Sequence, residues 1–316
     1  MFNSTHTFVG FAIAKTGAGK GVRYGTLTAV IASNLPDIDS IAGFWGTAAY
    51  LEHHRGITHS IIGIPLLSLL LAGVMYMFTG EFRRTFWIAL LATATHPALD
   101  YLNPYGLRPF LPWNRTWYYG DLLFIIDPYL DGILLAGMIA AWMLPHRSRL
   151  AVSLSMLVAA GYIGVRIQLH SMAVSQIDKV AAGLNLGEVQ KLAAIPNMWN
   201  PQRWDALLAT PSEVVAFEEC AWPCDVIDIP YESIRSETAP PDVIRRALQS
   251  NSARALLNFA RFPVTRVGHL DSGYRITIYD ARFRRRGTVL GSEVILDQTG
   301  QVTRQRLSFV LVPEAD

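Results

Sequence analysis

The chain predicts a mainly α protein. A polytopic helical membrane domain over residues 1–170 carries a His/Asp metal site, and a smaller soluble α+β domain follows over residues 171–316. Three observations carry this expectation. Residues 60–80, 85–99 and 132–144 hold no Asp, Glu, Lys or Arg. Five of the eight His (His6, His53, His54, His59 and His96) fall in the first 96 residues, in short segments that abut apolar runs. Overall the chain is 51% hydrophobic and 16% charged, where a soluble domain carries about 25% charged residues. Arg, Asp and Glu concentrate after residue 171.

The elements follow in order. Residues 7–14 and 24–34 predict two short helices joined by a turn holding Gly17, Gly19, Gly21 and Gly25. The first apolar run is too short to span a bilayer, and irregular backbone at membrane depth is tolerated only against protein or water. Met1 to Thr5 has neither a basic start nor a small-residue cleavage site after an apolar core, so the N-terminus is expected to be retained. Four spans are expected at 61–78, 85–99, 122–144 and 150–169, each approaching the about 20 apolar residues that a bilayer requires. The basic residues Lys15, Lys20, Arg23, Arg83, Arg84, Arg147 and Arg149 lie in turns at one end of these segments, and the positive-inside rule places that end in the cytoplasm. Every His/Asp segment then faces outward, against which Arg108 and Arg115 count in the opposite sense. The localisation expected is the bacterial inner membrane, multi-pass, with the site and the C-terminal domain on the periplasmic face.

Beyond the spans, helical periodicity covers 166–182 and a helix opened by prolines covers 241–259. Strand patterns occupy 214–217, 274–279, 288–296 and 306–312, with a turn at 298–300. Cys220 and Cys224 stand four residues apart, which suits a local disulfide outside the cytoplasm or two unrelated thiols. Arg282, Arg284, Arg285 and Arg286 read as a solvated face, and a net charge of +2 gives no reason to expect nucleic acid.

The chemistry lies in the His/Asp segments. Leu35-Pro36-Asp37-Ile38-Asp39 ends an apolar helix at Pro36, and two carboxylates one residue apart can serve one metal or bridge two. Alone they could be a turn capping the next helix. Arg55-Gly56-Ile57-Thr58-His59-Ser60 precedes the first long span, where a helix N-terminus disfavours imidazolium and leaves the neutral ring that a metal needs. His53 and His54 would point apart, and His54 is preferred as ligand because the Gly lets it turn back toward His59. His96 and Asp100 stand at i and i+4, one helical face, with Pro97 between them. A His donating to an Asp without metal fits the same spacing. Asp127 and Asp131 repeat that spacing at the head of the third span, and His6 heads the first short helix. His146, His170 and His269 lack such company and read as surface or interfacial residues.

Ser4-Thr5-His6, Leu35-Pro36-Asp37-Ile38-Asp39, His54-Arg55-Gly56-Ile57-Thr58-His59-Ser60 and Thr95-His96-Pro97-Ala98-Leu99-Asp100, with Asn103-Pro104-Tyr105-Gly106 following, together resemble the YdjM-like family of bacterial inner-membrane proteins, described as metal-dependent hydrolases. The resemblance covers roughly residues 1–170. A more distant similarity, without the full ligand set, links these motifs to the helical zinc-dependent phospholipase C group, which hydrolyses phosphodiesters.

The expectation is therefore a metal-dependent hydrolase acting on a lipid or phosphoester. A divalent ion, Zn²⁺ or alternatively Mn²⁺, is held by a subset of His6, Asp37, Asp39, His54, His59, His96 and Asp100. Asp39 or Asp127 takes the proton and Arg55 balances developing negative charge. The partners expected are membrane lipid, a small-molecule or lipid-linked substrate, and an unspecified protein for the C-terminal domain. The competing expectation is a non-catalytic membrane-anchored protein whose metal or His–Asp network is structural. A transporter or proton relay fits less well, because the carboxylates gather at one end.

Overall fold

A computed structural model describes residues 1–184, 186–220, 231–286 and 288–311. The chain divides into two compact units. One comprises Met1–Asp39, Arg55–Ala173 and Pro196–Trp204; the other comprises Ser40–His54, Val174–Ile195 and Asp205–Asp316.

The first unit is helical. Helix α1 (Asn3–Ile13) runs through a π-turn (Ala14–Ala18) into the Gly-rich loop, and α2 (Gly25–Asn34) returns against it. The two approach closely because Gly10 has no side chain: a Cβ there would lie 2.3 Å from Ser33 Oγ and 2.7 Å from the Ala29 carbonyl. After α2 the chain tightens into a 3-10 helix, Leu35–Trp45. In the second unit α3 (Thr47–His53) follows it. Back in the first unit come α4 (Gly63–Thr79), α5 (Phe82–Tyr101), α6 (Pro128–Met143) and α7 (Ser148–Gly183). The packed seams are lined by fully buried small residues, Ala29 and Ala32 of α2, Ala72 of α4, and Ala89 and Ala92 of α5, which let helix axes come close where lipid gives no hydrophobic drive. Outward faces are also apolar: Leu70 and Met77 of α4, Trp87 of α5, Trp142 of α6 and Leu157 of α7 are exposed. A helix apolar on all sides suits a core or a membrane.

Of the four expected spans, the segment Pro145–Gly183 is long and apolar enough to cross a membrane by itself, and a bent helix pair ending in α4 can be counted as a second. Helix α5 has 20 residues and falls short in composition rather than length; for α4 and α6 the shortfall is one of length. Helix α4 has 17 residues and α6 has 16, about 26 and 24 Å at 1.5 Å per residue, against a hydrocarbon core of about 30 Å. The regions 150–169 and 166–182, read separately from the sequence, form one uninterrupted α7 of 36 residues. Pro97 does not break α5, which continues to Tyr101.

The second unit carries two four-stranded sheets. Strands β1 (Lys191–Pro196), β2 (Arg203–Ala209), β3 (Glu213–Cys220) and β4 (Glu232–Arg235) lie in that order, with β2 beginning in the first unit. Strands β5 (Pro263–Leu270), β6 (Gly273–Asp280), β7 (Thr288–Asp297) and β8 (Val302–Leu311) form an antiparallel meander. Fully buried Leu207, Ile276, Ile278, Val294 and Leu296 build the strand core. Four of these strands (β1, β2, β4, β5) escape the sequence pattern. The helix expected at 241–259 is two, α8 (Pro241–Gln249) and α9 (Asn251–Phe259), because Ser250 takes an extended conformation and accepts the Ala253 amide on its hydroxyl. The turn between β7 and β8 is the expected one, closed by Asp297 accepting from Thr299 and Gln301 amides.

Arg282 corrects the expectation of a solvated Arg run. It is buried, with Nη2 2.7 Å from Asp280 Oδ2, and its guanidinium lies over the Phe259 and Phe283 rings. Arg284 pairs with Glu232 at 3.2 Å. The side chains of Arg285, Arg286 and Cys220, and all of Cys224, lie outside the described residues.

Candidate metal centre

Four side chains from three segments of the first unit converge at the end of α2. Pro36 cannot extend the α-helix, so the chain passes into the tighter 3-10 turn that presents Asp37 and Asp39. A second 3-10 turn, Ile57–His59, presents His59 ahead of α4. Helix α5 presents His96 and Asp100 on one face. One donor atom from each of Asp37, His59, His96 and Asp100 lies within 4.8 Å of all the others. His59 Nε2 is 3.5 Å from Asp37 Oδ1 and 3.5 Å from Asp100 Oδ2; His96 Nε2 is 3.4 and 3.6 Å from the same two oxygens. Donors held at 2.0–2.1 Å on a tetrahedral ion would be about 3.3–3.4 Å apart, so these four separations are close to those of a divalent metal shell.

The protonation pattern supports that fit. His96 Nδ1 donates to the Ser33 carbonyl at 2.7 Å. A carbonyl only accepts, so the ring's lone pair is on Nε2, which is buried without a hydrogen-bond partner. Ser33 is in the last turn of α2, where carbonyls lack an intrahelical donor; the same helix end thus orients His96. His59 Nδ1 lies 3.3 Å from Asp39 Oδ2 and 3.0 Å from Thr58 Oγ1, and Thr58 donates to Asp39 at 2.6 Å. Both imidazoles therefore show the outer hydrogen bond that fixes a metal-binding tautomer.

Electrostatics follows from burial and crowding. Burial opposes charge on His59, but hydrogen bonds to Asp100, Asp37 and Asp39 outweigh it and lift the imidazole to about 10. Burial raises the Asp37 carboxyl, yet His59 and His96 outweigh that and hold it far below the ordinary carboxylate range. His6 is brought to about 4, chiefly by burial, and stays neutral.

Arg55 sits in the left-handed region at φ 55°. From there its amide donates to Asp39 at 3.0 Å, while its guanidinium reaches Asp100 Oδ1 and Oδ2 at 3.1 Å each and Asn103 Oδ1 at 2.9 Å. Asn103 is fixed by the same oxygen accepting from the Tyr105 amide.

The remaining candidates fall as follows. His6 stacks on His96, ring centroids 3.7 Å apart, with Nε2 3.4 Å from Asp100 Oδ1; the Met1 amino group also pairs with that oxygen. His54 follows α3 in the second unit and stacks on Tyr50 at 4.6 Å. Asp127 is the N-cap of α6, accepting from the Tyr129 and Leu130 amides and from the Tyr162 hydroxyl. Asp131 accepts from Thr5 and Ser4 and ties α1 to α6. Ser60, rather than Thr58, accepts the Gly63 amide ahead of α4. The Ser33 carbonyl has no residue signature and was invisible in the sequence; Thr58 and Asn103 stood inside the quoted motifs as a possible cap and a helix stop, and their bonds to Asp39 and Arg55 emerge only from the fold.

The family described as YdjM inner membrane protein matches residues 1–173. The chain is 23% identical over 297 residues to the uncharacterized protein YfhP of Bacillus subtilis (strain 168), spanning 91% of this chain and 88% of that protein. No solved structure matches.

Proposed function

The chain belongs to the YdjM inner membrane protein family, and from that premise we propose that it is a metal-dependent hydrolase acting on a lipid or phosphoester substrate. In this reading it is a multi-pass protein whose centre opens on the periplasmic face. The supporting observation is the buried Nε2 of His96, stripped of hydrogen-bond partners and aimed with His59 Nε2 at two carboxylate oxygens. Asp37, His59, His96 and Asp100 would hold the ion, with zinc or manganese suited to a mixed imidazole and carboxylate set.

When bound, a divalent ion supplies Lewis acidity at neutral pH. The chain's own residues do the rest. Ser33 and Asp39 hold the Nδ1 protons of His96 and His59. Arg55 neutralises Asp100 and keeps its second oxygen from the donors' side. Asp39 Oδ2 accepts from the Arg55 amide and Thr58, and Asp127 accepts from the Tyr129 and Leu130 amides, so they orient His59 and the head of α6. Asp37 is 16% exposed while the other three donors are at most 1% exposed, so substrate approaches past Asp37.

One observation favours the competing structural reading: four protein donors complete a tetrahedral shell, and catalytic sites keep a position open. The experiment separates the two. Metal content of the detergent-purified protein is measured beside Asp37→Ala and His59→Ala, followed by a phosphoester screen. Stoichiometric metal lost in both variants, with turnover in the wild type, supports the hydrolase. Metal without turnover leaves a structural ion, and no metal after reconstitution overturns the hydrolase and leaves a structural His–Asp network.

A further inference from the structure

We propose that the rim of the centre is a membrane-contacting wedge, and that the substrate is a bilayer amphiphile whose phosphate head reaches the donors while its tails stay in lipid. This deepens the hydrolase reading and rests on it for the substrate, though not for the wedge.

The 3-10 segment Leu35–Trp45 carries the inference. In a 3-10 helix side chains three apart eclipse one another, so residues divide among three edges. Pro36, Asp39 and Ala42 form the inward edge; Pro36 and Ala42 are buried. Ile38, Ile41 and Phe44 form a single apolar ridge facing out, exposed by 52%, 53% and 88%, and Trp45 beside it is 76% exposed. A segment that presents Asp37 to the centre and leaves large apolar groups exposed along one edge is unfavourable in water, since apolar surface gains stability from burial.

A second segment repeats the pattern. Ile57 and Ile61 bracket His59, and both are about half exposed. The Ile61 amide bonds the Pro109 carbonyl, next to exposed Phe110. Residues 40–51 and 56–80 contain no Asp, Glu, Lys or Arg. Apolar, uncharged surface with a Trp at its edge is the composition of an element lying in the bilayer interface. The family is one of membrane proteins and α7 is long enough to span, so a bilayer is present to cover it. Asp37, the exposed donor, immediately precedes Ile38, which sets the centre at headgroup depth.

The test uses the full chain in nanodiscs of phosphatidylethanolamine and phosphatidylglycerol, in a Cys220→Ser, Cys224→Ser background. Nitroxide labels are placed at Phe44→Cys, at Leu157→Cys on the outer face of α7, and at Gln298→Cys in the β7–β8 turn. The Phe44 label is expected to match Leu157, reached by oxygen and shielded from a water-soluble nickel chelate. A Phe44 label that matches Gln298 overturns the wedge. For the substrate, an Ile41→Ser, Phe44→Ser variant should cut hydrolysis of vesicle phosphatidylglycerol at least about tenfold, leaving a soluble nitrophenyl phosphoester within about twofold of wild type. Equal losses on both, or wild-type turnover of the soluble ester alone, overturn the amphiphile assignment. If the wild type hydrolyses neither, the hydrolase reading and the amphiphile assignment fail together, and the nitroxides still decide the wedge.

Discussion

His59 carries the densest electrostatics of the centre, lying against three carboxylates that hold its proton up to about 10 in spite of burial. An ion must displace that proton, because a ligand imidazole is neutral. The sign is fixed: the group is protonated below its raised pKa, so metal affinity rises with pH, and binding at neutral pH releases a proton. Calorimetry in buffers of different ionisation enthalpy is expected to show about one proton released per ion and tighter binding from about pH 6 to about pH 9; affinity independent of pH would remove His59 from the donor set. Asp39 acts one shell out. Asp39→Asn keeps the shape but weakens the acceptor for His59 Nδ1, and about 10–100-fold weaker metal binding is expected, the usual effect of losing such a partner. Unchanged affinity would mean that Thr58 alone orients the ring. At this scale the sequence was informative about side chains, because His and Asp beside apolar runs are costly without partners. It was silent on Ser33, whose carbonyl is indistinguishable from any other, and it singled out Arg55 without its partner, since the pairing with Asp100 needs two segments far apart in the chain to meet.

Helix α2 links packing to chemistry, since one turn provides both the surface that meets α1 and the carbonyl that orients His96. Gly10→Ala would press a methyl group into Ser33 Oγ and the Ala29 carbonyl, and backbone cannot yield as a flexible side chain can. A loss of about 1–3 kcal/mol is expected, as for overpacked cores, read as a lower midpoint in thermal unfolding, together with weaker metal binding as Ser33 shifts. Gly73→Ala in α4 is the control: nothing lies within 4 Å of its Cβ, so it should be neutral or stabilising by up to about 1 kcal/mol through helix propensity. Equal losses at both would indicate that glycine matters here for reasons other than the α1–α2 approach. Element boundaries were legible where chemistry punctuates them, as at Pro36 and at the Gly300 turn. They were not where pattern runs on: no Gly or Pro separates 150–169 from 166–182, so α7 continues, and the short strands β1 and β4 offer too few residues for alternation to stand out.

At the scale of the whole molecule the decisive element is α7, because its orientation can be argued without knowing how many helices precede it. Its 36 residues extend about 54 Å, well beyond the about 30 Å of a hydrocarbon core, and its start is marked by His146, Arg147 and Arg149. The positive-inside rule keeps basic residues beside a span in the cytoplasm, so the far end, with Asp178 and Lys179, is expected on the outer face. Whatever follows Gly183 is then expected outside as well. The Tyr162 hydroxyl reaches Asp127 from α7, and Thr5 of α1 reaches Asp131, which puts α1 beside the head of α6, so the same expectation applies to it. Charge bias in the sequence is the whole basis of that expectation, whereas helix lengths emerged only from the fold. Full-length chains fused at the C-terminus to alkaline phosphatase or to green fluorescent protein read the topology directly. Active phosphatase and dark fluorescent protein are expected. Replacing Arg147 and Arg149 by Ser should shift a fraction of chains toward the opposite readout, since the bias rests on those side chains. Fluorescent fusions with silent phosphatase in the unsubstituted chain would reverse α7, moving every residue beyond Gly183 to the cytoplasm and setting aside the positive-inside assignment.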